Sequence, residues 1–290
     1  MNTKPKINHH KTQTKIQAQI SQPDIQSLKN NKPIGIFDSG VGGLSVLQQT
    51  HLLLPKENFI YVADSAFAPW GGKGDEFIEQ RSRIITEHLL EQGVKMIVIA
   101  CNTATASIIE KFRQQYGIPF VGVEPGIKPA VVQTNNGSIG IMATQGTLSS
   151  QRYKELNKRF SNAVNLYPIA CPGLADQVEL CQIDHPKTIK LLESFIKQLL
   201  NKQVDTIVLG CTHYSFLIPF IQEIAGQSIS LVDTSQAIAE QVKRLLKEYK
   251  LENQEINTHS RYFTTGEIEQ TRRVISKLLK KNTIELNLLA

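Results

Sequence analysis

The chain has 290 residues, of which 41% are hydrophobic and 20% charged, and this usage excludes a disordered or fibrous protein. The formal net charge is +6, but residues 1–32 hold six lysines and one aspartate, so this tail carries +5 and the rest of the chain +1. No apolar run approaches the roughly 18–20 residues that cross a bilayer, and the polar N-terminus lacks a signal-peptide core. The sequence therefore predicts a cytoplasmic protein that binds neither membranes nor nucleic acid.

Residues 1–32 are interpreted as a disordered basic extension. From Pro33 onward, short β-branched runs alternate with longer amphipathic stretches, which is typical of parallel sheets covered by helices. The predicted strands, in chain order, are 34–37, 59–62, 96–100, 120–123, 138–142, 164–167, 206–209 and 228–232. The predicted helices are 75–92, 104–115, 150–159, 186–202, 235–248 and about 267–281.

One segment of the chain recurs 110 residues later. Residues 94–103 read VKMIVIACNT and residues 204–213 read VDTIVLGCTH, and three looser matches occur in the same order, among them GIFDSGVGGLS (35–45) with GIMATQGTLSS (140–150). Such a repeat indicates duplication of an α/β unit. We therefore predict an α/β fold with two pseudo-symmetric domains, each a mostly parallel sheet flanked by helices, and an active site in the cleft between them.

Two of the four cysteines occupy the same place in this repeat. Cys101 and Cys211 each follow a buried strand and precede a helical pattern, a position that lowers the pKa of a thiol. The neighbouring Asn102, Thr103 and Thr212 are candidates to hold a carboxylate. One thiolate can remove a proton from a carbon while the opposite thiol returns one to the other face. The pair predicts a two-base racemase; the alternative is two structural cysteines at tight turns.

Two further residues are candidates from the pattern alone. Asp38 follows the first strand in GIFDSGVGG, where glycines allow the backbone to approach a ligand; its alternative role is to cap the turn. His213 lies two residues after Cys211 and is placed to assist that thiol. This glycine loop also resembles a dinucleotide fingerprint, but Ser45 stands at the third glycine position and Asp38 would repel a pyrophosphate. With no P-loop and no metal-ligand spacing, we predict no cofactor and no metal.

Six motifs make the chain resemble the glutamate racemases of the aspartate/glutamate racemase superfamily. They are GIFDSGVGGLSVL (35–47), the PWG of ADSAFAPWGGK (63–73), ACNTATA (100–106), GVEPG (122–126), ACPGLADQVE (170–179) and LGCTHY (209–214). The resemblance implies cofactor-independent interconversion of L-glutamate and D-glutamate, which supplies D-glutamate for peptidoglycan synthesis. It also implies a first domain made of residues 33–125 plus 234–290 and a second made of residues 126–233.

The same resemblance implies roles for single residues. Cys101 matches the thiol that deprotonates the D-substrate and Cys211 the one that deprotonates the L-substrate. Asp38 matches the acid beside the first thiol, and His213 and Glu179 match the pair beside the second. The implied substrate-binding residues are Asp38, Ser39, Trp70, Gly71, Asn102, Thr103, Thr147, Thr212 and His213. Trp70 stands where the family usually has tyrosine and Phe67 where it has arginine, changes that bear on substrate affinity or domain packing.

The resemblance also suggests a homodimer and, because some relatives with extensions respond to a nucleotide-linked cell-wall precursor, an effector of that kind. Two alternatives stay open at this point. One is a racemase of a related acidic amino acid such as aspartate, a choice that depends on pocket size. The other is a non-catalytic, protein-binding role on the same scaffold.

Overall fold

The computed structural model describes residues 29–255 and 259–289. The strands are β1 (Ile34–Asp38), β2 (Phe59–Ala63), β3 (Met96–Ile99), β4 (Phe120–Gly122), β5 (Ser138–Ala143), β6 (Asn165–Ala170), β7 (Thr206–Gly210), β8 (Ser230–Val232), β9 (Ser260–Thr264) and β10 (Leu286–Leu288). The α-helices are α1 (Leu44–Leu53), α2 (Asp75–Glu91), α3 (Asn102–Gln115), α4 (Ile127–Gln133), α5 (Gln145–Ser149), α6 (Gln151–Phe160), α7 (Leu174–Glu179), α8 (Pro186–Leu200), α9 (Ile218–Ala225), α10 (Ser235–Glu248) and α11 (Ile268–Leu279).

The strands form two sheets in which neighbouring strands run parallel. The six-stranded sheet has the order β10-β9-β2-β1-β3-β4, and the four-stranded sheet has the order β6-β5-β7-β8. The predicted class, α/β with two parallel sheets flanked by helices, is confirmed. Below, the parts of the chain built on the six-stranded and four-stranded sheets are called the first half and the second half.

Alternating side chains of the central strands explain how the halves meet. On β1, Ile34 and Ile36 belong to a hydrophobic cluster that also contains Met142 and Leu209 of the second half, whereas Phe37 belongs to a cluster on the other face of the six-stranded sheet. The two halves therefore share one core. The chain returns to the first half through α10, which packs against α1.

The eight strands predicted from β-branched runs and the six predicted helices are all present, with starts that differ by two residues or fewer. The missed strands are β9 and β10. β9 begins with the polar pair Ser260-Arg261, and β10 is only three residues long, so neither has an apolar run long enough to indicate a strand. Helix α1 was missed because Leu44, Val46 and Leu47 at its start are all apolar, so the amphipathic pattern of a surface helix is weak there.

The predicted N-terminal extension is described only from Lys29. Here the N–H of Lys32 donates to the carbonyl of Lys29 at 3.2 Å, so that residues 29–32 form a turn; residues 1–28 lie outside the described ranges. Within those ranges, no helix combines the length and the apolar character needed to span a bilayer.

Candidate active site

Both repeated cysteines line one cavity between the halves, where β1 and β3 of the six-stranded sheet and β7 of the four-stranded sheet end. Parallel topology places the carboxyl ends of β1 and β3 at the same edge of their sheet, and the contact between the halves brings the carboxyl end of β7 opposite them. Cys101 is 6% exposed and Cys211 is 7% exposed, so the cavity is nearly closed to solvent. The other predicted site residues along this cavity are Ser39, Trp70, Gly71, Asn102, Thr103, Thr212 and His213.

Cys101 occupies the residue before α3. Its sulfur accepts a hydrogen bond from the N–H of Ala104 at 3.4 Å, and its thiol donates to Ser39 Oγ at 3.7 Å. The N–H at the helix start does lower the pKa of this thiol, as predicted, but burial outweighs it and the net shift is upward. Burial raises the pKa of Cys101 to about 12, and the charge of Asp38 adds to this rise, while the hydrogen bonds to Ala104 and Ser39 only partly oppose it. Cys101 is therefore protonated at neutral pH.

Cys211 stands at the end of a hydrogen-bonded row of side chains. His213 Nδ1 lies 3.6 Å from the sulfur of Cys211, and His213 Nε2 lies 2.6 Å from Glu179 Oε1. Burial lowers the pKa of His213, but the hydrogen bonds and charges of Cys211 and Glu179 together outweigh burial, so the pKa lies well above its usual value. A protonated imidazole can donate to the sulfur and to the carboxylate at once.

The loop formed by residues 40–43 closes against this row. The N–H of Val41 donates to Glu179 Oε1 at 2.7 Å. A Cβ atom on Gly40 would lie 1.9 Å from Glu179 Oε1, and one on Gly42 would lie 2.3 Å from His213 Nδ1. We predicted that these glycines allow a ligand to approach; the structure shows them admitting side chains of the second half.

Asp38 is fully buried at the end of β1. Its Oδ1 accepts from Thr212 Oγ1 at 3.4 Å, and its Oδ2 accepts from the N–H of Gly40 at 3.3 Å. Burial raises the pKa of Asp38, and the nearby charge of His213 partly opposes the rise. In the described part of the chain no hydrogen bond joins Asp38 to Cys101, so Asp38 acts on that thiol through charge, whereas Ser39 contacts it directly.

Asn102 carries the clearest sign of a ligand. The residue is 4% exposed, and both Oδ1 and Nδ2 are buried without a hydrogen-bond partner among the described residues. A buried amide that lacks partners is costly, and native proteins avoid it. A polar ligand in the cavity would satisfy it.

Three threonine hydroxyls join the halves beside Asn102. Thr103 Oγ1 lies 3.0 Å from Thr144 Oγ1 and 3.3 Å from Thr147 Oγ1, and Thr144 Oγ1 donates to Thr147 Oγ1 at 3.1 Å. Thr147 thus lies next to the cavity, and Thr144 lines it. Thr144 is not among the residues predicted from the sequence, although the repeat of residues 35–45 at 140–150 pairs it with Ser39; that alignment is the signal that could have found it.

Trp70 lines the cavity, but its indole N–H points elsewhere. The ring is fully buried, and Nε1 donates to Asp64 Oδ2 at 3.2 Å. The indole therefore has no free donor for a substrate. Next to it, Gly71 packs against Thr144, since a Cβ atom there would lie 2.6 Å from Thr144 Cβ. Over the described residues, no group of three or more His, Cys, Asp or Glu side chains is placed to hold a metal ion.

Comparisons with known proteins agree with this arrangement. A glutamate racemase of Ectopseudomonas mendocina is 43% identical over 252 residues, 87% of this chain and 96% of that protein. One of Herpetosiphon aurantiacus is 45% identical over 238 residues, 82% of this chain and 94% of that protein.

Solved structures give the same result. A glutamate racemase isoform of Bacillus anthracis superposes with a TM-score of 0.83 at 28% identity, covering 90% of this chain and 98% of that one. The Escherichia coli glutamate racemase in complex with L-glutamate and the activator UDP-MurNAc-Ala gives 0.79 at 30% identity, covering 89% and 98%. The model of the Asp/Glu/Hydantoin racemase family matches residues 43–242. The chain therefore belongs to the Asp/Glu/Hydantoin racemase family.

Proposed function

We propose that the protein is a glutamate racemase, which interconverts L-glutamate and D-glutamate without a metal or organic cofactor and supplies D-glutamate for peptidoglycan synthesis. The relatives named glutamate racemase support the substrate. The observation that carries the chemistry is that two thiols from the two halves of a repeat line one nearly closed cavity. No observation favours aspartate or a non-catalytic role over this function.

In the proposed reaction, the thiolate of Cys211 takes the Cα proton of L-glutamate, and the thiol of Cys101 gives its proton to the opposite face of the carbanion-like intermediate. Cys211 ends as a thiol and Cys101 as a thiolate; D-glutamate reacts by the reverse exchange. A Cys101 pKa of about 12 is that of a proton donor at neutral pH. A protonated Cys101 is the form that the L-to-D direction requires.

The residues around each thiol would support these two states. Protonated His213, held by Glu179 at 2.6 Å, would donate to the Cys211 thiolate, and Ser39 and the N–H of Ala104 would donate to the Cys101 thiolate. The exclusion of water strengthens both sets of hydrogen bonds. Asn102, Thr103 and Thr212 would bind the polar groups of glutamate, with Trp70-Gly71 forming the facing wall.

We further propose the domain boundaries, an activator, a homodimer and a cytoplasmic location. The predicted domains, 33–125 plus 234–290 and 126–233, are supported by the sheets, whose strands come from 34–122 with 260–288 and from 138–232. The E. coli relative is described with an activator, which supports the proposal that a nucleotide-linked cell-wall precursor acts here also; adding UDP-MurNAc-Ala to the turnover assay tests it. A homodimer and a cytoplasmic location are likewise proposed.

An isotope experiment tests the function. Protein treated with a chelator and freed of pyridoxal compounds is incubated with L-glutamate in deuterated water. We expect optical rotation to disappear while solvent deuterium enters the Cα position of the newly formed D-glutamate. L-aspartate serves as the competing substrate, and faster turnover of aspartate would contradict the proposed specificity.

Single cysteine variants test the mechanism. Cys101→Ala and Cys211→Ala are each expected to abolish racemisation, because each direction needs one base and one acid. Cys181→Ser is the matched control, since this partly exposed cysteine does not line the cavity. Racemisation that survives in both alanine variants would rule out the two-thiol mechanism.

A further inference from the structure

The turn Trp70–Gly72 forms one wall of the active-site cavity, yet it is not held by a cap at its own start. Pro69, which precedes the turn, has no polar side-chain atom with which to cap it. Instead, the turn is held by a hydrogen bond that the buried indole of Trp70 donates to Asp64. The orientation of Trp70 therefore determines where Gly71 faces the cavity and Thr144.

Asp64 is fully buried and accepts hydrogen bonds from three separate segments. From α2, Arg81 donates Nη2 to Oδ1 at 2.7 Å and Nε to Oδ2 at 3.0 Å. From the residue after β9, Thr265 Oγ1 donates to Oδ1 at 2.9 Å, and Trp70 Nε1 completes the set at 3.2 Å. We call Asp64, Trp70, Arg81 and Thr265 the Asp64 cluster.

The geometry of Arg81 makes this cluster rigid. A two-pronged guanidinium–carboxylate contact fixes the plane of the carboxylate as well as its position. The guanidinium of Arg81 in turn stacks on the ring of Phe67, 4.0 Å from its centroid, and its side chain is only 13% exposed. With both carboxylate oxygens fixed, the indole N–H has one direction in which it can bond.

We propose that Arg81 and Asp64 are positioning residues for the racemase reaction, acting through Trp70 to hold the Trp70-Gly71 wall against the substrate. The inference rests on the proposed function. It explains how this chain uses tryptophan and phenylalanine at positions 70 and 67: the indole supplies a donor to Asp64, and the phenyl ring supports the guanidinium.

Loosening the Asp64 cluster should weaken glutamate binding in the ground state and the transition state alike. In Arg81→Lys and Asp64→Asn we expect KM to rise roughly tenfold while kcat changes less than about threefold. Trp70→Phe, which removes the indole donor together with part of the buried ring, should raise KM similarly. The control is Arg83→Lys, because Arg83 lies on the same helix but pairs with Glu79 at 3.0 Å; its KM should match that of the unaltered protein.

A spectroscopic measurement separates positioning from general stability. Trp70 is the single tryptophan of the chain, so its emission reports on this wall alone. In Arg81→Lys and Asp64→Asn, emission should shift to longer wavelength and acrylamide should quench it more, and D-glutamate should partly reverse both changes. Arg83→Lys should leave the emission unaltered.

A double variant tests the route through Trp70. If Asp64 acts through the indole, Asp64→Asn combined with Trp70→Phe should show the KM of Trp70→Phe alone. Additive effects, or equal KM in Arg81→Lys, Arg83→Lys and the unaltered protein, would overturn the proposal. If Asp64→Asn does not fold, Arg81→Lys and Trp70→Phe still decide it. Absence of racemisation in the unaltered protein would contradict the proposed function, whereas the emission comparison needs no turnover and tests the cluster independently.

Discussion

At the scale of single residues, the two thiols occupy equivalent positions of a repeat but have different neighbouring side chains. Cys101 lies near the buried Asp38, and burial and charge together raise its pKa to about 12. Cys211 faces His213, whose own pKa is raised. The equivalent chain position therefore does not give the two thiols equivalent chemistry; their neighbours do.

The raised pKa of His213 predicts a pH-dependent stability. Because protonation favours the folded state, its contribution is complete below about pH 6.5, the pKa of an unfolded histidine, and is lost as the pH rises through the higher folded-state value. The free energy of unfolding of the unaltered protein minus that of His213→Asn should therefore fall as the pH rises. Urea unfolding at a series of pH values measures this difference.

Glu179→Gln provides the second arm of that experiment. Glu179 helps to raise the pKa of His213, so in this variant the stability should be lost at lower pH than in the unaltered protein. A difference between the unaltered protein and His213→Asn that stays constant with pH would show that His213 gains no protonation-linked stability from its partners.

At the scale of elements, the glycine loop between β1 and α1 joins the two halves at the site. Its N–H at Val41 and its missing side chains at Gly40 and Gly42 let Glu179 and His213 approach the backbone. The loop thus holds in place the pair that faces Cys211, although it belongs to the half that carries Cys101.

Gly40→Ala tests this role of the loop. The new methyl group would overlap Glu179, which must then move away from His213, and kcat/KM should fall at least about tenfold. Gly74→Ala is the matched control, since a Cβ atom there meets nothing within 4 Å. Steady-state kinetics on both variants checks the prediction, and equal activity would mean that the loop tolerates a side chain at position 40.

At the scale of the whole molecule, the halves share a hydrophobic core and meet again at the three threonines over the cavity. With both thiols less than 8% exposed, glutamate can reach them only when the cavity opens. The first described residues contact the first half next to the start of β3. There the buried Lys95 Nζ donates to the carbonyl of Asn30 at 2.5 Å and to Glu57 Oε2 at 2.5 Å.

Two truncations test whether the N-terminal extension takes part in catalysis. A chain that begins at Lys29 should keep kcat and KM within about twofold, because the cavity lies on residues 39–213. A chain that begins at Pro33 also removes an acceptor from the buried ammonium of Lys95 and should lose about 1.5–3 kcal/mol of unfolding free energy. Loss of turnover in the first truncation would assign the extension a role in the site.

Much of the fold could be predicted from the sequence because buried parallel strands need apolar side chains on both faces. Runs such as Met96–Ile99 and Thr206–Gly210 carry that signal, and the repeat between them indicated two related units. β10 could not be predicted, since this three-residue edge strand forms by pairing with β9 and is too short to show a period of its own.

For the site, the sequence by itself determined which residues stand at strand ends: Cys101, Cys211 and Asp38, together with the motif residues around them. Only the tertiary structure decided their chemistry. A pKa depends on burial and on charges that distant segments bring near, which is why the pKa of Cys101 is raised although the N–H at the helix start lowers it. The hydrogen bonds between Thr144 and Thr103 and between Thr265 and Asp64 likewise join segments far apart in the chain, and a local sequence pattern does not show which distant segments meet.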